Sequence, residues 1–546
     1  MKTVAYLTAE IMLESGIPTY SGGLGGLAGD TARSVSDLSY EEFPYEFVAV
    51  SFLYPEGYFT QRIVGGRQQE EYPRWDPGEK GLTLQPEKVT IDMHDRHVEV
   101  GAWRYDVHGR KRAVRVYLLD TSELSGCNNS DYDRRITSRI YFGGEYERLL
   151  QETVLGIGGV RMLEAVGEDV GLWHLNEGHA AFAVAERLRR GEGIEKVRQG
   201  TVYTTHSPVA GHDGFNYGMI HSVFNGTMPH NIRDFAGNDF LNMTTLALNG
   251  SGRVNAVSRK HGEVSRRMFN RNIDYVTNGV HHTTWASDAF RGVYDSDLPG
   301  WRDDPSLLAN AGTIDRRKIR AARETSKKEM TRYLQEKHGI TIDPSRPVVT
   351  WARRFDGSYF DGQRWSSYKN PELIFRNRGR LKEVLRKNGI QLIFAGKAHP
   401  NNEPAKDEMS RVIRYTGELS SEGMPSVFVE NYNMETCRYL ASGSDVWLNT
   451  PRIPLEASGT SGMCAALNGV PQAGTQDGWW LEGFNGRNGW VIGGEQSNDD
   501  VDASEIYSLL EGLGPDNTEM SVGAMETGAI FNTHRMVKDY AEKLYR

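Results

Sequence analysis

The chain has 546 residues, of which 38% are hydrophobic, 25% charged and 10% aromatic, a composition that predicts a globular protein and excludes a disordered, collagenous or coiled-coil chain. Its formal net charge of −9 favours neither a nucleic acid nor a membrane surface as partner. The three scattered cysteines are too few for a disulfide framework or a zinc site, and no stretch reaches the roughly 18 apolar residues of a membrane span, so we expect a cytoplasmic protein.

Strand and helix signals alternate through the first half of the chain. The start, TVAYLTAE, is predicted to be a buried strand and not a signal peptide, because Glu10 interrupts the apolar run and no small-residue cleavage site follows. A glycine-rich turn and the helical GDTARSVSDL come next. The later segments are, in order, FVAVSFLY, RVYLLDT, the helical ERLLQETVLGIGGVRMLEAV, LWHLNE, the helical HAAFAVAERLRRG and GTVYTTH. This alternation predicts parallel α/β layers.

The pattern changes around residues 286–312, which are predicted to form a loop. A charged helix follows and ends at Gly339, a suitable C-cap. Strand signals then restart in PVVTWA, QLIFAGKA, VFVENY and DVWLNT. We therefore predict an α/β domain over residues 1–290, a helical linker over 291–344, a second α/β domain over 345–525, and a last helix over 526–546 that crosses back to the first domain.

Three segments at predicted strand or turn positions could bind a ligand in the first half of the chain. The glycine-rich turn of residues 20–30 can bring backbone N–H groups to an anion at a helix N-terminus, or it is only a tight turn. The polar clusters of residues 174–179 and 204–207 lie where ligands of open α/β sheets bind. The spacing of Glu177 and His179 is not that of HExxH, so no metal is expected there.

Two further segments in the second half carry candidate chemistry. Arg353 and Arg354 follow a strand and precede Lys369, and such cations suit a phosphate, although a solvated basic turn is the alternative. The small residues of 457–462 precede a predicted helix, and the carboxylate of Glu456 can accept hydrogen bonds from sugar hydroxyls. Each signal is weak alone, and their order is what makes them specific.

In that order the motifs resemble those of the α-glucan phosphorylases, in particular their short bacterial and archaeal branch. The resemblance extends over nearly the whole chain and includes AEIMLESGIPTYSGGLGGLAGD, WHLNEGHAAFAVAE, YTTHSP, VTNGVHHTTW, WARRF, YKNPELIF and DVWLNTPRIPLEASGTSGM. It implies a GT-B fold, in which two Rossmann-like domains face a central cleft that holds the sugar and the phosphate.

Two departures from the family pattern bear on the cofactor and on the donor. The family has Met-Lys after the Glu456 motif, and that lysine carries pyridoxal phosphate as a Schiff base. Here the position is Cys464, and no lysine occurs from residue 407 to residue 537. Because a thiol cannot form the Schiff base, we expect no cofactor, and in particular no pyridoxal phosphate. The second departure is an aromatic-rich insertion at residues 355–367, which we predict to pack over the donor pocket.

The retained cations and Glu456 beside the lost lysine favour a change of donor over decay. Retaining nucleotide-sugar transferases of the GT-B fold often have a second glutamate facing the ribose, and Cys464 holds that position relative to Glu456. We therefore predict a hexosyltransferase that needs no pyridoxal phosphate. It would transfer a hexose-like sugar with retention from a nucleotide-sugar donor to a small-molecule or saccharide acceptor. Two alternatives stay open: an α-glucan phosphorylase with altered or non-covalent use of pyridoxal phosphate, and an inactive carbohydrate-binding homologue.

The predicted site comprises three overlapping groups of residues and no metal. The donor phosphate and nucleotide are assigned to Gly22, Gly23, Leu24, Arg353, Arg354, Lys369, Tyr432, Thr460 and Cys464. The sugar is assigned to His206, Asn278, Glu456, Ser458 and Gly459. The catalytic residues are predicted to be His206, Arg354, Lys369 and Glu456. A homodimer is left open.

Overall fold

A computed structural model describes residues 1–94, 96–206, 213–360, 362–514 and 516–546. The residues after His206 in the YTTHSP motif, and Asp361 of the insertion, therefore lie outside the described residues. The strands are β1 Thr3–Thr8, β2 Glu46–Phe52, β3 Thr60–Val64, β4 Arg67–Glu71, β5 Thr83–Leu84, β6 Val89–Met93, β7 Arg96–His108, β8 Ala113–Asp120, β9 Val170–Asn176, β10 Thr201–Thr204, β11 Gly214–Asn216, β12 Phe240–Asn242, β13 Arg253–Ala256, β14 Asp274–Tyr275, β15 Val348–Ala352, β16 Tyr359–Phe360, β17 Trp365–Ser366, β18 Gln391–Ala395, β19 Ser426–Val429, β20 Val446–Asn449, β21 Gln472–Thr475 and β22 Gly489–Ile492.

Helices separate most of these strands, as the alternation predicts. They are α1 Gly23–Asp37, α2 Glu145–Thr153, α3 Gly159–Ala165, α4 Phe182–Arg189, α5 Ile194–Gln199, α6 Tyr217–Phe224, α7 Ile232–Ala236, α8 Met243–Gly250, α9 Arg259–Phe269, α10 His282–Trp285, α11 Asp288–Asp297, α12 Arg316–His338, α13 Arg378–Asn388, α14 Glu403–Ser421, α15 Met434–Gly443, α16 Thr460–Ala466, α17 Trp480–Gly483, α18 Asp499–Glu511, α19 Thr518–Thr527 and α20 Thr533–Lys543. A π-helical turn, Val154–Gly158, joins α2 to α3.

The first large sheet is built around β1. Its order among the described residues is β14-β13-β10-β9-β1-β2-β8-β7-β5, and β6 also pairs with β7. The strands from β14 to β8 are parallel, whereas β7 is antiparallel to β8, β5 and β6. Because β1 has β9 on one side and β2 on the other, the chain leaves β1 at a point where the strand order reverses. That point is where open α/β sheets bind ligands.

The second large sheet is wholly parallel and has the order β19-β18-β15-β20-β21-β22. All five residues of β15 are buried, as in a strand covered by helices on both faces. The strand order reverses at β15, so the carboxyl end of β15, followed directly by Arg353 and Arg354, is a second such ligand position. The two large sheets, one mainly and one wholly parallel, confirm the predicted GT-B type of α/β fold.

Two helices join the parts of the molecule that these sheets organise. The α12 helix runs from its N-cap Asp315 to Gly339, whose φ of 66° is suited to a C-cap, and so confirms the predicted charged helix. The α20 helix packs on α1 in the core of the first sheet, where the Ser34 and Thr533 hydroxyls lie 2.6 Å apart. The prediction that the last helix crosses back is confirmed. The loop predicted for residues 286–312 is wrong in part, because α11 occupies its beginning with Ser287 as N-cap.

The insertion at residues 355–367 forms a small hairpin. Its strands β16 and β17 are antiparallel, and the exposed rings of Phe360 and Trp365 contact each other across them. The amide of Ser367 donates to Glu408 on α14, and Phe355 is buried in the core of the second sheet. None of the described residues of the insertion lines the cavity between the two large sheets, although the charge of Asp356 acts on Arg354, which does. The prediction that it packs over the donor pocket is therefore wrong.

Candidate active site

A cavity of about 640 Å³ lies between the two large sheets, at the reversal points of both. The elements that border it include the start of α1, the residues after β9 and β10, the residues after β15, and the segment from Glu456 into α16. Every residue assigned to the site from the sequence lines it: Gly22, Gly23, Leu24, His206, Asn278, Arg353, Arg354, Lys369, Tyr432, Glu456, Ser458, Gly459, Thr460 and Cys464. The fold thus brings together residues that are up to several hundred positions apart in the chain.

The glycine-rich turn is fixed by a buried carboxylate. Glu10 accepts hydrogen bonds from the amides of Ser21 and Gly22, at 2.5 and 3.0 Å, and from the hydroxyl of Tyr141 at 2.8 Å. The Gly22 amide is therefore already used. The amides of Gly23 and Leu24 begin α1, which has no side-chain cap, and they remain as donors for an anion in the cavity.

Two cations in the cavity lack an anionic partner of their own. Lys369 is buried, and among the described residues its ammonium contacts the ring of Tyr368, 5.0 Å from the centroid, and has no hydrogen-bond acceptor. Burial and the neighbouring Arg353 lower the pKa of Lys369 to about 8. Arg354 is exposed to the cavity, and within the described part of the chain its guanidinium has neither a hydrogen bond nor an ion pair. An anionic group in the cavity would satisfy both cations.

The third cation, Arg353, is already paired. Its guanidinium lies 2.6 Å from the carboxylate of Glu456, with both side chains buried, and it also donates to the amide oxygen of Asn449. From the sequence, Arg353 is assigned to the donor phosphate and Glu456 to the sugar. In the structure the two side chains form a buried ion pair. Each neutralises the other, since burying either charge without a partner would cost free energy. Arg353 therefore contributes first to holding Glu456 in place.

Two of the residues that the sequence assigns to the sugar have hydrogen-bonding atoms without a partner. Among the described residues, the side-chain oxygens of Asn278 and Ser458 are buried without one. Buried polar atoms are rarely left so, and sugar hydroxyls would satisfy both. The segment 456–459 is fixed from below, since Asp477 accepts from the Glu456 amide at 2.8 Å and the Trp479 amide donates to the Ser458 carbonyl at 2.8 Å.

His206 is oriented by the residues that follow the neighbouring strand β9. Its amide donates to the carboxylate of Glu177 at 2.6 Å, and its ring is hydrogen-bonded to the Asn176 side chain. Burial lowers the pKa of His206 to about 3, so the imidazole is neutral and suited to hydrogen bonding and not to carrying charge. Burial likewise raises the pKa of Glu177 to about 7.

Position 464, where the family resemblance places a lysine, is buried and uncharged. Cys464 lies in α16 and is 3% exposed, and burial raises the pKa of its thiol well above the usual range. The lysines that line the cavity among the described residues are Lys369 and Lys397, and the Lys397 ammonium donates to the Phe59 carbonyl at 2.7 Å. The residues present do not fit covalently bound pyridoxal phosphate, because the attachment position carries a neutral thiol.

Sequence reasoning missed several residues that line the cavity. They are Glu10, Tyr141, Glu177, Asp213, Trp285, Lys397 and His399. For Glu10, Glu177 and Lys397 a signal was present, since each is a charged residue directly after an apolar strand. Tyr141 and Asp213 have no such signal, because irregular segments bring them to the cavity. Trp479 and Trp480, which follow the segment 456–459, do not line the cavity, because both are buried in the core.

Comparisons with known proteins show which proteins this chain is similar to. The model of the carbohydrate phosphorylase family matches residues 230–494. The chain is 36% identical to a maltodextrin phosphorylase of Thermococcus litoralis, over 99% of this chain and 70% of the relative. It is 33% identical to a glycogen phosphorylase of Aquifex aeolicus, over 100% of this chain and 86% of the relative. It is also 30% identical to an uncharacterised protein of Methanocaldococcus jannaschii over the full length of both.

These relatives correct the predicted donor. Those with a named activity are phosphorylases, so the prediction of a nucleotide-sugar donor is wrong. That prediction depended on Cys464 taking the place of a ribose-binding glutamate. A buried thiol with a raised pKa stays uncharged and is a weak hydrogen-bond acceptor, so it cannot take over that role.

Proposed function

The chain belongs to the carbohydrate phosphorylase family, and from this premise we propose that it transfers a glucosyl group between an α-glucan and inorganic phosphate. The observation that carries the proposal is the pair Arg354 and Lys369, two cations in the cavity that lack an anionic partner among the described residues. A phosphate or a sugar phosphate supplies the charge that this pair needs.

The sugar would lie between these cations and the segment 456–459. Asn278 and Ser458 would bond its hydroxyls, together with the carboxylate of Glu456 that Arg353 holds. The relatives' names, maltodextrin phosphorylase and glycogen phosphorylase, support an α-glucan as the saccharide. The neutral ring of His206 would add a hydrogen bond without a charge.

Phosphorolysis needs a proton for the departing sugar oxygen. We propose that bound phosphate supplies it: the bond from the anomeric carbon to the glycosidic oxygen breaks, that oxygen takes the phosphate proton, and a phosphate oxygen bonds to the same carbon on the same face. Arg354 and Lys369 would stabilise the negative charge that remains on the phosphate. The ammonium of Lys369, whose pKa is about 8, keeps its charge at neutral pH and can donate a hydrogen bond to the phosphate.

The proposal includes no covalent attachment of pyridoxal phosphate. It follows from the thiol at 464 and from the lack of any lysine between residues 407 and 537. The reaction is therefore assigned only to groups of this chain and to phosphate. The cytoplasmic location predicted from the cysteines is kept as part of the proposal; all three are free and buried.

The test is the formation of a sugar phosphate. The protein is incubated with a maltodextrin and inorganic phosphate, with and without added pyridoxal phosphate, and the products are followed by ³¹P NMR. We expect α-D-glucose 1-phosphate in both samples, and none from the Arg354→Ala variant. Binding of maltodextrin and phosphate without turnover would contradict the proposal and would favour an inactive carbohydrate-binding protein. Turnover only with added pyridoxal phosphate would contradict its cofactor-free part.

A further inference from the structure

A cluster of three buried histidines lies outside the active-site cavity, where α1, α10 and α20 meet. His281 and His282 begin α10, and His534 is in the first turn of α20. One ring nitrogen from each lies within 4.8 Å of the others, and the three residues are at most 5% exposed. Three imidazoles are rarely brought together in a protein interior without a shared partner.

Hydrogen bonds already fix two of these rings in the manner of metal ligands. His281 Nδ1 lies 2.7 Å from the hydroxyl of Thr284, and His282 Nε2 lies 3.0 Å from the carbonyl oxygen of Arg302. A metal-bound histidine usually donates its remote N–H to such an oxygen, which sets the tautomer and points the other nitrogen at the ion. The nitrogens left for an ion are Nε2 of His281 and Nδ1 of His282.

The cluster also contains nitrogens without a partner. Among the described residues, Nδ1 of His282 and both ring nitrogens of His534 are buried and have no hydrogen bond. A buried polar atom without a hydrogen bond is destabilising, and an imidazole with neither nitrogen satisfied is doubly so. A cation at the centre of the cluster would remove this cost.

A carboxylate completes the set of donors. Asp37 Oδ2, at the end of α1, lies 3.0 Å from His281 Nε2 and 3.7 Å from His534 Nε2. Its other oxygen accepts from the Arg110 amide at 2.8 Å, which orients the carboxylate. A second cavity of about 1060 Å³ is lined by Asp37 and His281 and gives an ion a path from solvent.

We propose that His281, His282, His534 and Asp37 bind one zinc ion. Three imidazoles and one carboxylate are donors that zinc prefers, and four protein ligands make a closed structural site. Tetrahedral ligation needs the ligand atoms about 3.3 Å apart, so small rotations of the rings would close the cluster around the ion. No metal is predicted from the sequence, because these ligands come from three separate parts of the chain.

The other candidate cluster, formed by Glu152, His179 and Asp213, is a weaker site. The guanidinium of Arg148 already lies 3.0 Å from Glu152 and 2.8 Å from Asp213, so it supplies the positive charge that an ion would bring. No arginine or lysine forms an ion pair with Asp37 among the described residues. The histidine cluster is therefore the site that a divalent cation would complete.

The zinc ion would stabilise the segment that contains Asn278, a residue that lines the active-site cavity. Val280 precedes the two histidines and pairs with Asn532, two residues before His534. The Arg535 guanidinium also donates to the Asn278 carbonyl at 3.1 Å. An ion joining His281 and His282 to His534 would therefore hold α20 against the segment 278–282.

The test is zinc stoichiometry in the full chain. Protein treated with a chelator is incubated with zinc, freed of unbound metal and measured by inductively coupled plasma mass spectrometry. We expect one zinc per chain in the wild type and its loss in His282→Gln and in His534→Gln. The control variant His338→Gln, at the end of α12, should keep its zinc, and so should His179→Gln. Loss of zinc from His179→Gln alone would place the metal in the other cluster and would overturn the proposal.

A second measurement keeps the proposal testable if a variant fails to fold. Cobalt(II) added to the chelator-treated wild type should give the visible bands of tetrahedral nitrogen and oxygen ligation, and zinc should abolish them. Zinc should also raise the Tm of this protein, since an ion that binds only the folded chain stabilises it. No bound zinc, no cobalt bands and an unchanged Tm in the wild type would overturn the proposal.

Discussion

Two regions of the active-site cavity differ in their charge. One contains Arg354 and Lys369, cations without an anionic partner among the described residues, and the Arg353–Glu456 pair. The other is the start of α16, where Cys464 is a neutral thiol at the position in which the family resemblance places a lysine. The first region has the charge to bind an anion. The second has no amine that could attach a cofactor.

This difference separates two functions that the family pattern combines. Anion binding depends on charge and on uncapped amides, which are retained at Arg354, Lys369 and the start of α1. Covalent cofactor attachment depends on one amine, which is absent. We therefore expect that substitutions of Arg354 or Lys369 lower the affinity for phosphate strongly, whereas substitutions of Cys464 change it little.

The largest effect should come from Arg354→Ala. The substitution removes a charge-assisted contact of roughly 1.5–3 kcal/mol, which lowers the affinity for α-D-glucose 1-phosphate by about 10- to 150-fold. Isothermal titration calorimetry measures this loss directly. The matched control is Arg364→Ala, in the hairpin, whose guanidinium pairs with Glu372 outside the cavity. Equal losses in both variants would mean that Arg354 acts only through general charge.

A smaller effect should follow from the protonation of Lys369. Its pKa is about 8, and the anion binds the ammonium form, so affinity should fall as the pH rises through that value, by at most about tenfold per pH unit. The ligand α-D-glucose 1-phosphate suits the measurement, because its second pKa is about 6 and it does not titrate in this range. Lys369→Arg keeps the charge and should remove the fall in affinity near pH 8, whereas any fall that comes from Lys397, whose pKa burial lowers to about 7, should remain. A flat profile in the wild type would contradict the assignment of Lys369.

The smallest effect should come from Cys464→Ala. Because the thiol is buried and neutral, the affinity for α-D-glucose 1-phosphate should change by less than about twofold, or ~0.4 kcal/mol. Wild-type protein as purified, treated with borohydride, should show no pyridoxyl adduct by intact mass. Cys464→Lys should gain one at residue 464, found by peptide mapping. An adduct in the wild type would show that another lysine has taken over the attachment.

The sequence alone determined the fold class and the composition of the site. The alternation of strand and helix signals requires parallel layers, and ligands of such sheets lie at strand ends, so local patterns pointed to Arg354, His206 and Glu456. The absence of an amine at 464 is likewise a fact of the sequence.

Only the tertiary structure decided how these residues are paired. The ion pair of Arg353 with Glu456, the bond of the Tyr141 hydroxyl to Glu10 and the bond of the Ser367 amide to Glu408 all join segments far apart in the chain. The histidine cluster is the clearest case, because Asp37 and His534 are separated by nearly the whole chain and meet only when α20 returns to α1. Local patterns report burial and secondary structure. When two distant segments are brought together, the sequence around each residue does not indicate its partner, because the contact depends on three-dimensional packing.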